Sequence, residues 1–376
     1  MPPTILHLIA HCRPHSGLWA TLSSCLQADA FAGQTVEVWS LEPVDESLKA
    51  SFSSEIQWRT VSSRTLPEAT LKRELRRQLQ ASSPAHLHTW GVEPTLLVGT
   101  SARIPQTRWT ATLERPFPTT SWWNSWQDVL LQRHLDHLVV TSPIVEAKLK
   151  KQGWPQQKIT VIPAGVEALG HKQDETARAE RFAALELSPE TKIIAAVGSQ
   201  IKVNHFELLI GAMELISFVR DDAKLLLFGN GPERDALMRQ AYVRDTSHAV
   251  YWIDDEAAWL NWLPDLSVFW LASRLREQPY SLLQALAAGI PVVANAMPGG
   301  REPLEHEQNS YLVFESNRSH FAQHGQRLLN SVELRQQLGQ QGQKAVLSHF
   351  PLSRMLQGYQ ELGLFQPATS ALRSAA

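Results

Sequence analysis

Cysteine is nearly absent: Cys12 and Cys25 are the only two in 376 residues. That excludes a disulfide framework and the paired-cysteine spacing of a structural zinc site, and makes a reducing cytoplasm the expected compartment. Long apolar runs are missing too, with none approaching the roughly 20 residues of a spanning helix. The apolar stretch Ile5 to Ala10 leads straight into His11, Arg13 and His15, too brief and too polar for a signal peptide, so any membrane contact is expected to be peripheral. Neither sign of charge dominates: 35 Lys and Arg stand against 37 Asp and Glu, a formal net charge of -2 that supplies no footprint for nucleic acid. No Walker loop, zinc-binding His-Glu-x-x-His, Gly-x-Ser-x-Gly elbow or Asp-x-Asp triad occurs. The Gly229-Asn230-Gly231 turn lacks the third glycine of a dinucleotide fingerprint and runs into Pro232 and Glu233, which read as a helix start.

What the chain does have is alternation. Its length exceeds what one core usually supports, so two domains are expected, and 43% hydrophobic with 19% charged residues describe a globular protein. Short β-rich runs alternate with helical patterns, the signature of a parallel sheet covered by helices. Strands are predicted over 4–10, 35–41, 85–89, 108–113, 137–141 and 159–162. Helices are predicted over 18–28 and 68–80, the second carrying Leu71, Leu75 and Leu79 on one face. The Pro-, Thr- and Trp-rich stretch 116–126 reads as a loop at the carboxyl end of a strand, where such sheets bind ligands. From Glu167 to Thr191 the composition turns charged and polar, marking a domain boundary. Strands then resume at 192–197, 223–228, 250–253, 266–271, 290–294 and 310–314.

Thirteen tryptophans stand out, several clustered, as in Trp122, Trp123 and Trp126, or Trp252, Trp259 and Trp262. Large side chains filling a core or domain interface account for them; the alternative is an aromatic platform under a sugar or lipid acceptor.

The most informative segment reads LSVFWLASRLREQPYSLLQALAAGIPVVANAMPGGRE, from Leu266 to Glu302. Physically it is a buried strand, a loop, a helix entered through Pro279, an exit at Gly289, a second buried strand and a glycine pair. Proline suits a first helical turn because its missing N–H would lack a helical partner anyway. The N–H groups near Tyr280 and Ser281 then form an anion site, although a purely structural helix start is equally compatible with these residues.

This order, with ALAAGIPVVA and a Gly-Gly-x-Glu element, resembles the signature region of the large retaining glycosyltransferase family called group one or family four. KITVIPAGVE resembles the strand and turn that end that family's first domain, and KLLLFGNGPERDALMRQA its strand, Gly-x-Gly-Pro-Glu turn and helix. The resemblance covers most of the chain. It implies an α/β fold of two Rossmann-like domains facing across a cleft (GT-B): 1–168 on the acceptor side, a linker at 169–188, 189–348 on the sugar-nucleotide side, a helix within 349–365 returning toward the first domain, and a disordered tail at 366–376. It further implies a hexosyltransferase of carbohydrate biosynthesis that takes a nucleotide-sugar donor and a glycan or lipid-linked acceptor, without a metal or other cofactor.

The family's donor site carries an Arg and a Lys after the first strand of the second domain and two glutamates eight apart around the helix entry. Here Ser199 stands for the Arg, Asn204 for the Lys, Arg276 for the first glutamate and Gln284 for the second, with Lys202 and Glu277 close to the missing groups. Gly17 keeps half of the glycine pair before the first helix, and Glu114 stands where many members carry a histidine close to the donor sugar. His88 matches a histidine whose expected role is structural hydrogen bonding. The implied donor-binding set is Gly17, Ser199, Lys202, Asn204, Tyr280, Ser281, Gln284, Gly299, Gly300 and Glu302, and the implied catalytic set is Glu114, Arg276 and Glu277. Two readings follow: a retaining transferase in which Arg276 supplies a relocated cation and Gln284 still hydrogen-bonds a ribose hydroxyl, or a homologue that kept the fold, lost catalysis and serves as a binding or scaffolding protein.

Overall fold

A computed structural model describes residues 4–13, 16–28, 35–61, 67–99, 106–118, 129–170, 174–274, 279–297 and 302–363. The chain divides into two compact units, Met1–Gly165 with Leu352–Ala376, and Val166–Pro351. The expected tail at 366–376 and much of the 116–126 loop lie outside the described residues. So do Trp122, Trp123 and Trp126.

The first unit is a seven-stranded parallel sheet of β1 (Thr4–Ile9), β2 (Thr35–Ser40), β3 (Ile56–Thr60), β4 (His86–Trp90), β5 (Arg108–Leu113), β6 (His137–Val140) and β7 (Ile159–Val161), in the order β3-β2-β1-β4-β5-β6-β7. Parallel sheets are covered on both faces, and β4 is accordingly buried along its whole length. One face packs Leu6, Leu8, Trp39, Ala111 and Leu138 against Leu71, Leu75 and Leu79 of the helix Glu68–Ser82. The other packs Ile5, Ile9, Val36 and Val38 against Trp19 and Leu22 of the helix Gly17–Gln27 and Met355 and Tyr359 of the helix Leu352–Glu361. That last helix lies so close that a Cβ at Gly165 would sit 2.7 Å from the Leu352 Cα, a contact only glycine permits.

The second unit holds β8 (Lys192–Val197), β9 (Ala223–Phe228), β10 (Val250–Ile253), β11 (Leu266–Leu271), β12 (Val292–Asn295) and β13 (Tyr311–Val313), all parallel, in the order β10-β9-β8-β11-β12-β13. Its core joins Ile194, Leu225, Leu227, Val268 and Trp270 to Phe206, Leu209 and Met213 of one helix and Phe321 and Leu328 of another. Trp259 and Trp262 are buried, as the core-filling reading requires.

Two elements differ from the sequence expectation. The strand β3 was not anticipated, because at the sheet edge only Ile56 of its five residues is buried and its polar IQWRT sequence lacks a strand signature. The stretch 169–188, expected as a linker, falls inside the second unit and contains the helix Glu175–Ala184. Asp174 caps it by accepting from the Thr176 and Ala177 N–H groups, Phe182 is buried and stacks on Trp262, and Arg178 and Arg181 reach Asp265, whose side chain is fully buried, at 3.2 and 2.6 Å. The arginines that made the stretch look solvated are the partners of that buried carboxylate.

Candidate functional site

Both sheets are doubly wound. In such sheets ligands gather outside the carboxyl ends of the strands where the strand order reverses. That point lies between β8 and β11 in the second unit and between β1 and β4 in the first.

At the second unit's switch point, β8 exits through Gly198, whose φ of +139° is a conformation that favours glycine. Ser199 follows, exposed, then a short turn Lys202–Asn204 and the helix Phe206–Ser217. The Asn204 Nδ2 donates to the Ser199 carbonyl at 2.7 Å, so this side chain closes the loop on itself. Lys202 is exposed. The neighbouring loop after β11 is tied in through the Arg274 N–H, which donates to the Val203 carbonyl at 2.9 Å. Beyond it the helix Tyr280–Ala287 starts at Pro279, with no acidic residue in its first turn. By helix geometry the Tyr280 and Ser281 N–H groups have no partner among the helix's own carbonyls. Burial, and then the Glu167 carboxylate, push the Tyr280 hydroxyl up to about 12, so it is a hydrogen-bond donor at neutral pH. Ser281 and Gln284 are buried, and the Gln284 Oε1 accepts no hydrogen bond among the described residues. Glu302 is exposed. Arg276, Glu277, Gly299 and Gly300 lie outside the described residues.

Sequence reasoning passed over two amides here. Gln200 is fully buried: its Nε2 donates to the Gly229 carbonyl at 2.7 Å, its N–H to the Asn230 carbonyl, and its own carbonyl accepts from the Glu233 N–H. A Cβ at Gly231 would sit 2.5 Å from the Gln200 carbonyl oxygen, so the Gly-Asn-Gly-Pro-Glu turn is a bed for the β8 loop. Asn295, at the end of β12, is buried and donates through Nδ2 to the Ala272 carbonyl, fixing the start of the β11 loop. Their signal in the sequence was position alone, one amide three residues past a strand and one at a strand's last residue.

In the first unit, Gly17 opens its helix behind the Ser16 cap, on the loop after β1. Glu114 follows the last residue of β5 and is exposed. His88 lies within β4, fully buried, stacked on Trp90 with 4.4 Å between ring centroids, its Nε2 2.8 Å from the Thr112 hydroxyl. Burial, with His7 and His86 alongside, holds it well below the ordinary histidine range, so it is neutral.

Two successive α/β units with the strand order 3-2-1-4-5-6 define the class: this is the GT-B fold. A Glycosyltransferase Family 4 model matches residues 19–168 and a Glycosyl transferases group 1 model residues 177–345, so the chain belongs to the superfamily of GT-B glycosyltransferases that these two models describe. An uncharacterized glycosyltransferase of Haemophilus influenzae is 27% identical over 146 residues, 39% of this chain and 41% of that protein. The N-acetyl-alpha-D-glucosaminyl L-malate synthase of Bacillus anthracis is 25% identical over 178 residues, 47% of this chain and 46% of the synthase. The chain thus spans about half the length of the curated relatives it matches. Among solved structures, Anabaena HepE in complex with UDP and glucose aligns with a TM-score of 0.78 at 14% identity, over 96% of this chain and 99% of HepE. The sucrose-phosphate synthase of Thermosynechococcus elongatus aligns with 0.76 at 18% identity, over 96% and 98%. Among the described residues no helix is long and apolar enough to cross a membrane.

Proposed function

We propose that this protein is a glycosyltransferase that transfers a sugar from a nucleotide-sugar donor, with retention of configuration, to a glycan or lipid-linked acceptor. The observation that carries the reading is the helix start at Tyr280 beside the β8 loop at the second unit's topological switch point. First-turn N–H groups and a positive helix end suit a diphosphate. In this reading Tyr280 and Ser281 hold the diphosphate, the buried Gln284 amide takes a ribose hydroxyl, and Ser199, Lys202 and Asn204 border the phosphates. Arg276 supplies the cation that offsets negative charge developing on the departing diphosphate. Gly299, Gly300 and Glu302 flank the donor sugar, with Glu277 completing the reacting end. HepE, whose fold this chain shares, was solved with UDP and with UDP-glucose, which makes these the first probes.

The test is a thermal-shift titration with UDP and UDP-glucose followed by calorimetry. A ligand at 100 times its Kd stabilises the native state by about 2.7 kcal/mol. Arg276→Ala is expected to weaken UDP by roughly ten- to over a hundredfold, the value of a charge-assisted contact of about 1.5–3 kcal/mol. Absence of binding by the unmodified protein overturns the donor assignment. One observation favours a binding-only homologue: Asn204, in the position of the family's lysine, is spent on the Ser199 carbonyl. UDP binding without sugar transfer or donor hydrolysis would select that reading.

A further inference from the structure

The loop that leaves β8 at the second unit's switch point rests on two glycines of the turn that leaves β9. A Cβ at Gly229 would sit 2.5 Å from the Gly198 carbonyl oxygen, and one at Gly231 2.5 Å from that of Gln200. Neither approach leaves room for a side chain, so the turn lies directly against residues 198 and 200. Burial divides the loop in the same way: Gln200 is fully buried, whereas Ser199, Ile201 and Lys202 are exposed.

Glycine makes the close approach possible but does not hold it. The Gln200 side chain does, because its Nε2 donates to the Gly229 carbonyl at 2.7 Å. The Arg234 Nη1 reaches the same carbonyl only at 3.4 Å, at the long limit of a hydrogen bond, so Gln200 is its principal partner. Beyond Gln200 the loop is closed on itself. The Ile201 N–H and the Asn204 Nδ2 both donate to the Ser199 carbonyl, the Asn204 N–H to that of Ile201, and the His205 N–H to that of Lys202. A displacement at Gln200 is therefore passed on to Lys202 instead of being absorbed between them. Lys202 is the one cation in 199–204. A lysine is a point charge on a flexible stem, so what the fold can fix is the place from which the stem starts.

We propose that Gln200 is a positioning residue for donor binding: by tying the β8 loop to the turn after β9, it holds Lys202 where the diphosphate is bound. This rests on the reading of the Tyr280 helix start as the diphosphate site. The test is calorimetry with UDP on the full chain and on two variants that disturb the tie from opposite sides. Gln200→Met keeps the length of the side chain and removes its donor, and Gly231→Ala presses a Cβ on the Gln200 carbonyl. Each is expected to weaken UDP by about tenfold, the value of a charge-assisted contact. The same substitutions are then made in a Lys202→Ala background, where each is expected to cost less than about threefold, since residues that act through one contact are not additive. A loss of the same size with and without Lys202 would mark Gln200 as structural only and overturn the proposal. Should Gln200→Met unfold by circular dichroism, Gly231→Ala carries both comparisons. UDP binding undiminished in the folded variants overturns this proposal and leaves the transferase reading standing. Absence of UDP binding by the unmodified protein overturns the donor assignment and this proposal with it.

Discussion

The two units reach the same doubly wound order with different interiors. In the second, the central strands bury Ile193, Ile194, Ala195 and Ala196 on β8 and Val268, Phe269 and Trp270 on β11, an apolar interior throughout. In the first, the corresponding strands β1 and β4, with β5 beside them, bury His7, His86, His88, Thr110 and Thr112. These polar groups pair diagonally across the strands: the His86 Nε2 lies 3.0 Å from the Thr110 hydroxyl, the His88 Nε2 lies 2.8 Å from that of Thr112, and the Trp90 Nε1 donates to the His7 Nδ1 at 3.2 Å. Topology therefore leaves the chemistry of the interior open, provided that buried polar groups find partners. The two interiors should fail under different stresses, large-to-small truncation for the second and acid for the first.

The largest effect is expected from Trp270→Ala. This side chain is fully buried, edge-on to Phe321, and so close to the next helix that a Cβ at Gly325 would sit 2.7 Å from it. Truncation leaves a cavity and should cost about 3–5 kcal/mol. Hydrogen exchange read by mass spectrometry should show the loss in peptides of β8, β9, β11 and β12, with the first unit's sheet unchanged. Equal loosening of both units would mean that they do not unfold separately.

Acid should do the converse. Burial lowers His7 to about 3 and His86 to about 4 from an ordinary 6.5. The unfolded chain takes up these two protons from about pH 6.5 downward, whereas the folded unit resists until near pH 4 and pH 3. The unfolded state thus binds more protons, so stability is complete above about pH 6.5 and falls as the pH drops below it. The slope is about 1.4 kcal/mol per pH unit per histidine, or about 2 kcal/mol for each at pH 5. In the second unit His324 is lowered too, to about 4, but it is only about half buried and its contribution is correspondingly smaller. Exchange at pH 7 and pH 5, corrected for intrinsic rates, should show β1, β4 and β5 losing protection ahead of β8 and β11. His86→Gln, whose amide can still meet Thr110, should flatten that dependence.

The same contrast governs how much was legible in the sequence. Apolar runs such as Ala223–Phe228 and Leu266–Leu271 announced their strands to the residue, because a strand covered on both faces can hold little else. The edge strand β3 and the helix Glu175–Ala184 were illegible for one shared reason: what fixes them is a neighbour far along the chain, β2 for the first and the buried Asp265 for the second. At the candidate site, motif spacing pointed to the Tyr280 helix start and the β8 loop, and the structure describes Ser281 and Gln284 there as buried. Gln200 and Asn295 went unseen because a buried amide that ties one loop to another has no signature in spacing. His88 could be named as a hydrogen-bonding histidine, yet its partner Thr112, and the Tyr359 hydroxyl that meets Thr112 in turn, come from elements distant in sequence.

The smallest effect tests whether the polar interior of the first unit extends to its covering helix. The Tyr359 hydroxyl lies 3.1 Å from the Thr112 Oγ1, which itself lies 2.8 Å from the His88 Nε2, so one chain of hydrogen bonds links the helix Leu352–Glu361 to β5 and β4. Burial raises the Tyr359 hydroxyl far above its ordinary value of 10.0, so it keeps its proton at every relevant pH. Tyr359→Phe retains the ring and its packing near Trp90, 5.6 Å between centroids, and removes only the oxygen. Thr112 keeps His88 as a partner, so no buried group loses its last hydrogen bond and the cost should be about 0.5–1.5 kcal/mol. It should appear as faster exchange in 352–361 and the adjoining amides of β5, leaving the second unit untouched. The double variant Tyr359→Phe/His88→Gln sharpens the comparison: a cost below the sum of the two single costs marks a cooperative network, since additivity is expected only of sites that share no partner. Strict additivity would show that the helix is held by the apolar contacts of Met355 and the ring of Tyr359, and that the polar interior ends at β5.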